Sequence, residues 1–280
     1  MADYYLERRR PQSQRVVAGT LSFHYLAWDG NEDLTVLMLH PRRGNAHHWD
    51  LMADHLRWRG RLIAPDMRGH GLSEWPGVGY DVEQHARDVL ALMDVLHLKR
   101  CVLVGAATGG NLALLLASEH PERIVGIVVV DAGVGIPATV LAQTAKEIEN
   151  AYEFPNFDAA RDSLLFASLW PAPVRDYFAL HSFRPVEGGR WAWAWDRDAA
   201  RGIGNTIQRP IWDRIAVTCP AMMVRGIDSQ VFLSEHLERL KGLIPQAQLA
   251  CVPGSDHMPA QDNPPFMAAL LERFLPDCFP

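Results

Sequence analysis

A short apolar run at 101–104 leads into Val104-Gly105-Ala106-Ala107-Thr108-Gly109-Gly110, and a second apolar run starts at Asn111. Strand, tight turn and helix in that order are the setting in which a G-x-S-x-G turn holds a serine hydroxyl clear of a strained backbone. Small residues flank such a turn because strand and helix pass too close for bulk. Gly105 and Gly109 fit the pattern, and Ala107 stands where the serine belongs. A methyl group cannot attack a carbonyl. The competing reading of the same glycines is an ordinary turn of a doubly wound sheet, such as a phosphate loop. The agreement of the rest of the pattern weighs against it.

A base for that position is His257, in Val252-Pro253-Gly254-Ser255-Asp256-His257-Met258, a loop between the last strand and the last helix. A histidine on a loop at the carboxyl edge of a sheet can reach the turn after a central strand. The other eleven histidines, His47-His48 among them, read as surface or packed residues. No H-E-x-x-H or similar spacing occurs, so no metal site is expected.

The base needs a carboxylate to fix its tautomer and stabilise the imidazolium. Asp131, after the run 124–130, and Asp228, in Arg225-Gly226-Ile227-Asp228-Ser229, both give the chain order nucleophile, acid, histidine. In the commoner arrangement the acid is the third residue after that glycine. Here Ser229 holds the place, and Asp228 comes one residue early. Adjacent residues of an extended segment point in opposite directions, which favours Asp131 and leaves Asp228 as the alternative. Otherwise Asp228 is a turn former before the next helix.

An oxyanion would be held by the N–H of Thr108 and a second N–H from His40-Pro41-Arg42-Arg43-Gly44. Proline cannot donate, so the second donor is expected to be Arg42. The guanidiniums of Arg42 and Arg43 either bring positive charge to substrate or point to solvent. In Arg190-Trp191-Ala192-Trp193-Ala194-Trp195-Asp196, period-two alternation puts three indoles on one face. That face either walls a substrate pocket or packs one part of the chain on another.

Residues 21–28 and 34–40 read as strands about an Asp29-Gly30-Asn31 turn, followed by a short strand at 61–64. Helical spacing runs over 82–96 and 111–120, and 124–130 is a β-branched run typical of a strand buried on both faces. After a stretch rich in tryptophan come a strand at 221–224, a helix at 233–243, a strand at 248–252 and a closing helix at 265–275. Such alternation implies a mostly parallel sheet with helices on both faces. The expected division is a core of 1–133 and 216–280, with 134–215 as a helical cap over the carboxyl ends of the strands. Asp66-Met67-Arg68-Gly69-His70-Gly71-Leu72-Ser73 reads as scaffold, with charged side chains bracing glycine turns.

The 280 residues are 48% hydrophobic, enough for one large core with a cap. A formal net charge of -6 argues against a nucleic-acid partner. Arg8-Arg9-Arg10 reads as a solvated terminal segment. Cys101, Cys219 and Cys251 fall at or beside strands and read as core thiols; Cys278 makes the fourth cysteine. With no apolar leader or membrane-length run, a cytoplasmic protein without membrane contact is expected, as monomer or homodimer.

Over nearly its whole length the chain resembles the α/β-hydrolase superfamily, in the branch with the acid after the sixth strand. The resemblance rests on residues 65–73, Gly105–Gly110, Val129–Asp131 and Gly254–His257, with 184–189 and Arg225-Gly226 pointing to that branch. It implies Asp131 as acid and His257 as base, with no cofactor. It leaves the small-molecule substrate open, because this fold hosts many chemistries. The departures are Ala106, where histidine is frequent, and Ala107. Three functions follow: a serine hydrolase of ester or related acyl bonds in a nucleophile-to-alanine form, a non-catalytic ligand-binding relative, or a cofactor-free enzyme with His257 as sole base.

Overall fold

The computed structural model describes residues 9–133, 152–164, 167, 170–199 and 211–279. The chain begins with β1 (Gln12–Ala18), β2 (Leu21–Trp28) and β3 (Asn31–Leu39), then helix α1 (Asp50–His55) and β4 (Gly60–Pro65). Helix α2 (Val82–Val95), β5 (Cys101–Ala106), helix α3 (Thr108–Glu119) and β6 (Ile124–Val130) complete the first half. The inserted segment carries β7 (Glu153–Phe154), α4 (Phe157–Asp162), α5 (Ala172–Ser182), β8 (Phe183–Pro185) and β9 (Trp191–Trp193). The chain then returns through β10 (Ala221–Gly226), α6 (Ser234–Leu243), β11 (Gln248–Val252), α7 (Pro259–Asp262) and α8 (Pro264–Cys278).

Eight strands form one sheet in the order β1-β2-β4-β3-β5-β6-β10-β11. From β4 to β11 every pairing is parallel, and β2 runs antiparallel to both of its neighbours. Parallel strands need helical crossovers, so both faces are covered and side chains alternate between two cores. Leu37, Leu39 and Leu103 face α2 and α3, where they meet Val89, Met93 and Leu112. Val36, Met38, Val102 and Val104 face α1 and α8, where they meet Met52, Met267 and Phe274. Burying each such side chain is worth roughly 2 kcal/mol.

The insertion is not purely helical. Its described residues include a three-stranded antiparallel sheet, β7-β9-β8. Phe183 and Trp193 pack there with ring centroids 4.1 Å apart. The segment between β6 and β10 is tied to the rest of the chain by Gly71 N–H donating to the Ala194 carbonyl (2.7 Å) and by Tyr80 OH donating to Asp196 (2.6 Å). Residues 134–151, 165–166, 168–169 and 200–210 of the expected cap lie outside the described residues.

Other expectations also change. β1 and α1 are additional elements: exposed polar residues interrupt the apolar pattern of the first, and the second is only six residues long. Arg9 is no solvated tail residue, because its guanidinium donates to the carbonyls of Trp58 (2.9 Å) and Gly60 (2.8 Å). Cys251 is exposed and Cys219 half-buried, whereas Cys101 and Cys278 are buried. β11 is the edge strand beyond β10 and has no neighbour to cover its far side, which accounts for Cys251. Among the described residues no helix is long and apolar enough to cross a membrane.

Candidate active site

The parallel strands all end on one side, so the loops that follow them meet there. β5 ends at Ala106, and Ala107 turns the chain into α3 with φ 46 and ψ −111. A side-chain-bearing residue at such angles is strained and persists only where its surroundings over-determine it. They do so here by close approach. A Cβ on Gly105 would lie 2.2 Å from the Gly109 carbonyl oxygen, and one on Gly109 would lie 2.3 Å from that of Leu39. The Ala107 N–H is held by the Val130 carbonyl at 2.9 Å.

β6 ends at Val130, and the next residue, Asp131, is fully buried. Its Oδ2 lies 2.6 Å from Nδ1 of His257. Ser229 Oγ donates to the same oxygen at 2.6 Å, and the Gly226 N–H donates to Oδ1 at 3.0 Å. Asp228 is exposed and takes no part; its N–H donates to the Ser255 carbonyl at 3.0 Å. The one-residue offset thus sends Ser229 inward and Asp228 outward. The loop carrying His257 is braced by Asp262, which accepts from Ser255 Oγ, the Asp256 N–H (both 3.0 Å) and Trp170 Nε1 (2.7 Å).

A cavity joins these loops to the cap. Ala107, Thr108 and His257 line it together with Arg42, Arg43 and His48. Leu164, Trp170, Phe178 and Trp193 supply an apolar wall. Thr108 is the first residue of α3, so its N–H has no acceptor within the helix. The Arg42 N–H, expected as an open oxyanion donor, is engaged: it donates to Thr108 Oγ1 at 2.7 Å. The cause is local. A β-hydroxyl on the first residue of a helix reaches back across the turn to the neighbouring loop.

A model of the alpha/beta hydrolase fold family matches residues 35–264. The chain belongs to this family. It is 26% identical to the 2-(acetamidomethylene)succinate hydrolase of Mesorhizobium japonicum over 86% of this chain and 87% of that protein. An esterase of Mycobacterium tuberculosis is 30% identical over 77% of this chain and 72% of its own. An sn-1-specific diacylglycerol lipase of Mus musculus is 29% identical over 91% and 85%. A crystal structure of E-2-(acetamidomethylene)succinate hydrolase superposes with TM-score 0.86 over 95% of this chain and all of that one, at 24% identity, a likeness of fold.

Within this hydrolase fold the three tryptophans part company. Trp193 lines the cavity, whereas Trp195 is fully buried, its ring centroid 5.6 Å from that of Trp193. Trp191 packs on Phe157 with centroids 4.9 Å apart. The substrate-wall reading therefore fails for Trp191 and Trp195, which pack the cap. β9 ends at Trp193, so the alternation does not continue into Trp195 as strand. Trp170 and Phe178 complete the wall instead, and no periodicity singled them out. Both guanidinium-bearing residues, Arg42 and Arg43, line the cavity, and burial holds Arg42 below its ordinary pKa.

His48 is the residue that sequence reasoning missed. It is buried, and its Nε2 has no hydrogen-bond partner among the described residues. Burial, then repulsion from His40 and His257, pushes its pKa down to about 3. A neutral, buried imidazole with an unpaired nitrogen thus stands behind the cavity wall. Its only sequence signal is its place four residues after the loop 40–44.

His70, buried under the same loop, is likewise pushed down to about 3, chiefly by desolvation. Each of these two histidines stays neutral in the fold but takes up a proton on unfolding once pH falls below the ordinary histidine range. The unfolded state then binds more protons, so stability must rise with pH across that window and fall on acidification. Urea titrations between about pH 6 and pH 4 should show stability dropping by up to about 1.4 kcal/mol per pH unit for each of the two. His48→Phe, which removes one titrating group, should flatten the slope by up to that amount. An unchanged slope would put the acid sensitivity elsewhere.

Proposed function

We propose that this chain is a serine-type hydrolase of carboxylic esters, with alanine in the nucleophile position, which binds its substrate without cleaving it. The observation that carries this reading is the Asp131–His257 pair at 2.6 Å, whose histidine lines one cavity with a residue held at φ 46. A sterically costly turn, a base and an orienting acid serve no packing purpose together. They are the parts of a nucleophile site.

In the serine form the hydroxyl would attack the ester carbonyl and pass its proton to Nε2 of His257, because Nδ1 is committed to Asp131. The Thr108 N–H would receive the developing oxyanion. The Arg42 N–H would join it as the carbonyl oxygen displaces Thr108 Oγ1. His257 would then protonate the leaving alcohol, and water would release the acid by the same route. The apolar wall suits a substrate with a hydrocarbon part. The curated relatives include an esterase and a lipase, which supports the ester class.

Crystals of the chain soaked in 4-nitrophenyl butyrate test the binding half of the proposal. The ester should be found intact, its carbonyl oxygen about 3 Å from the Thr108 N–H and its carbonyl carbon facing the Ala107 methyl. Cleavage in the crystal, with butyrate left in the cavity, would show that the chain performs the chemistry without a serine.

A further inference from the structure

Away from the cavity, a second serine, histidine and aspartate stand in series. Ser13 Oγ lies 2.8 Å from His24 Nε2, and His24 Nδ1 lies 2.8 Å from Asp66 Oδ2. The strand register brings them together. Ser13 pairs with Leu26 and Arg15 with His24, so Ser13 and His24 are diagonal neighbours on one face of the β1–β2 ladder. His24 and Asp66 are buried, whereas Ser13 is exposed. The imidazole and carboxylate are thus shielded by the fold, while the residue at the end of the series meets solvent.

The direction of the protons follows from Asp66. Its carboxylate accepts the Ala46 N–H at 2.6 Å and the Leu72 N–H at 2.8 Å. Burial pushes its pKa up, but the hydrogen bonds it accepts, first from His24 and then from the Ala46 N–H, outweigh that and hold the group below its ordinary value. An anionic Asp66 accepts the proton of His24 Nδ1, which leaves Nε2 as acceptor for the Ser13 hydroxyl. A serine that donates to such an imidazole has the arrangement of a nucleophile with its base.

We propose that Ser13 is a second, surface nucleophile that takes an acyl group from an activated ester. Ser13 Oγ forms a bond to the ester carbonyl carbon as its proton passes to His24 Nε2. The bond from that carbon to the leaving oxygen then breaks, and the departing aryloxide takes the proton from His24. The products are O-acylated Ser13 and the free phenol. β1 is an edge strand, so some of its backbone N–H groups face away from the sheet. Arg15, exposed and two residues on, shares the face of Ser13 and adds a cation beside the developing oxyanion. Ser13 is not among the residues with positive φ and has no strained turn beneath it.

Alanine at 107 removes the competing serine, so the chain as it stands is the right reagent. It would be treated with 4-nitrophenyl acetate, digested and mapped by mass spectrometry, with hydroxylamine used to release O-acetyl groups. Ser234 is an exposed serine on the same chain and serves as internal standard. General-base assistance predicts acetylation of Ser13 about 10²-fold faster than Ser234. The label should vanish in Ser13→Ala and fall to the Ser234 rate in His24→Gln, with circular dichroism confirming the fold. Should His24→Gln fail to fold, the Ser13-to-Ser234 ratio in the parent chain decides alone. A ratio near one, or O-acetyl label at other serines only, overturns the proposal.

Discussion

Ala107→Ser should raise the turnover of 4-nitrophenyl butyrate by several orders of magnitude, up to about 10⁶, the loss seen when a triad serine is removed from other enzymes. The expectation rests on how little else must change. The backbone at 107 already adopts φ 46 and ψ −111, which alanine does not require. The cost of that strain is therefore built into the parent chain, and adding one oxygen leaves it nearly unchanged. His257 lines the same cavity with Nδ1 engaged by Asp131, so Nε2 is the nitrogen left to take the new hydroxyl proton. Thermal unfolding of the two forms should agree within about 0.5 kcal/mol, the usual span for substitutions that break no contact. Steady-state rates of parent and variant, measured on samples with matching circular dichroism, decide the matter. A folded variant as inert as its parent would remove the hydrolase reading, and the cavity would then be a binding site alone.

The part of this site that could be read from sequence is the part written as local pattern. Gly105 and Gly109 mark a turn because no side chain fits their close approaches, so two letters four residues apart carry tertiary information. Asp131 and Ser229 could be placed because period two in an extended segment is a directional rule, and a shift of one residue changes the face. The tryptophans show where such a rule stops. Alternation placed Trp191, Trp193 and Trp195 on one face but could not say what that face meets. The structure sets Trp193 against the cavity and spends the other two on cap packing. His48 and the engagement of Arg42 by Thr108 depend on contacts between separate loops, and neither leaves any periodic trace.

The cap strands were hidden for a similar reason. β7 has two residues and β8 and β9 have three each, too short for alternation to separate strand from helix. Their pairing comes from burial of Phe154, Phe183 and Trp193 in a small shared core, which is a tertiary cause. That core sets one wall of the cavity. That wall is therefore written in packing between distant segments, whereas the Asp131–His257 pair and the turn at 107 lie in short motifs at strand ends.

In the Ala107→Ser background, Asp131→Asn should depress turnover by up to about 10⁴, as loss of the acid does in other triads. The isosteric amide can still accept the Gly226 N–H through its oxygen, so the loop after β6 should keep its shape. What it loses is the negative charge beside Nδ1 of His257 and the fixed tautomer. An amide NH₂ turned toward Nδ1 would favour the ring form protonated at Nε2, which cannot take a proton from the serine. The defect should therefore appear in kcat, with KM for 4-nitrophenyl butyrate changed little, because no cavity contact is altered. Asp228→Asn, made in the same background, should leave both parameters within about twofold, since the residue is exposed and its backbone N–H, not its carboxylate, makes the bond to Ser255. Ser229→Ala removes a hydrogen bond to the Asp131 carboxylate and should fall between the two. Because a bond to a charged group is worth about 1.5–3 kcal/mol, a loss of roughly 10- to 100-fold is expected if all of it is felt in the transition state. Steady-state kinetics on the three variants give the ranking directly. If Asp228→Asn proved the more damaging of the two acid substitutions, the 2.6 Å contact between Asp131 and His257 would have to be replaced during turnover by one from the later loop.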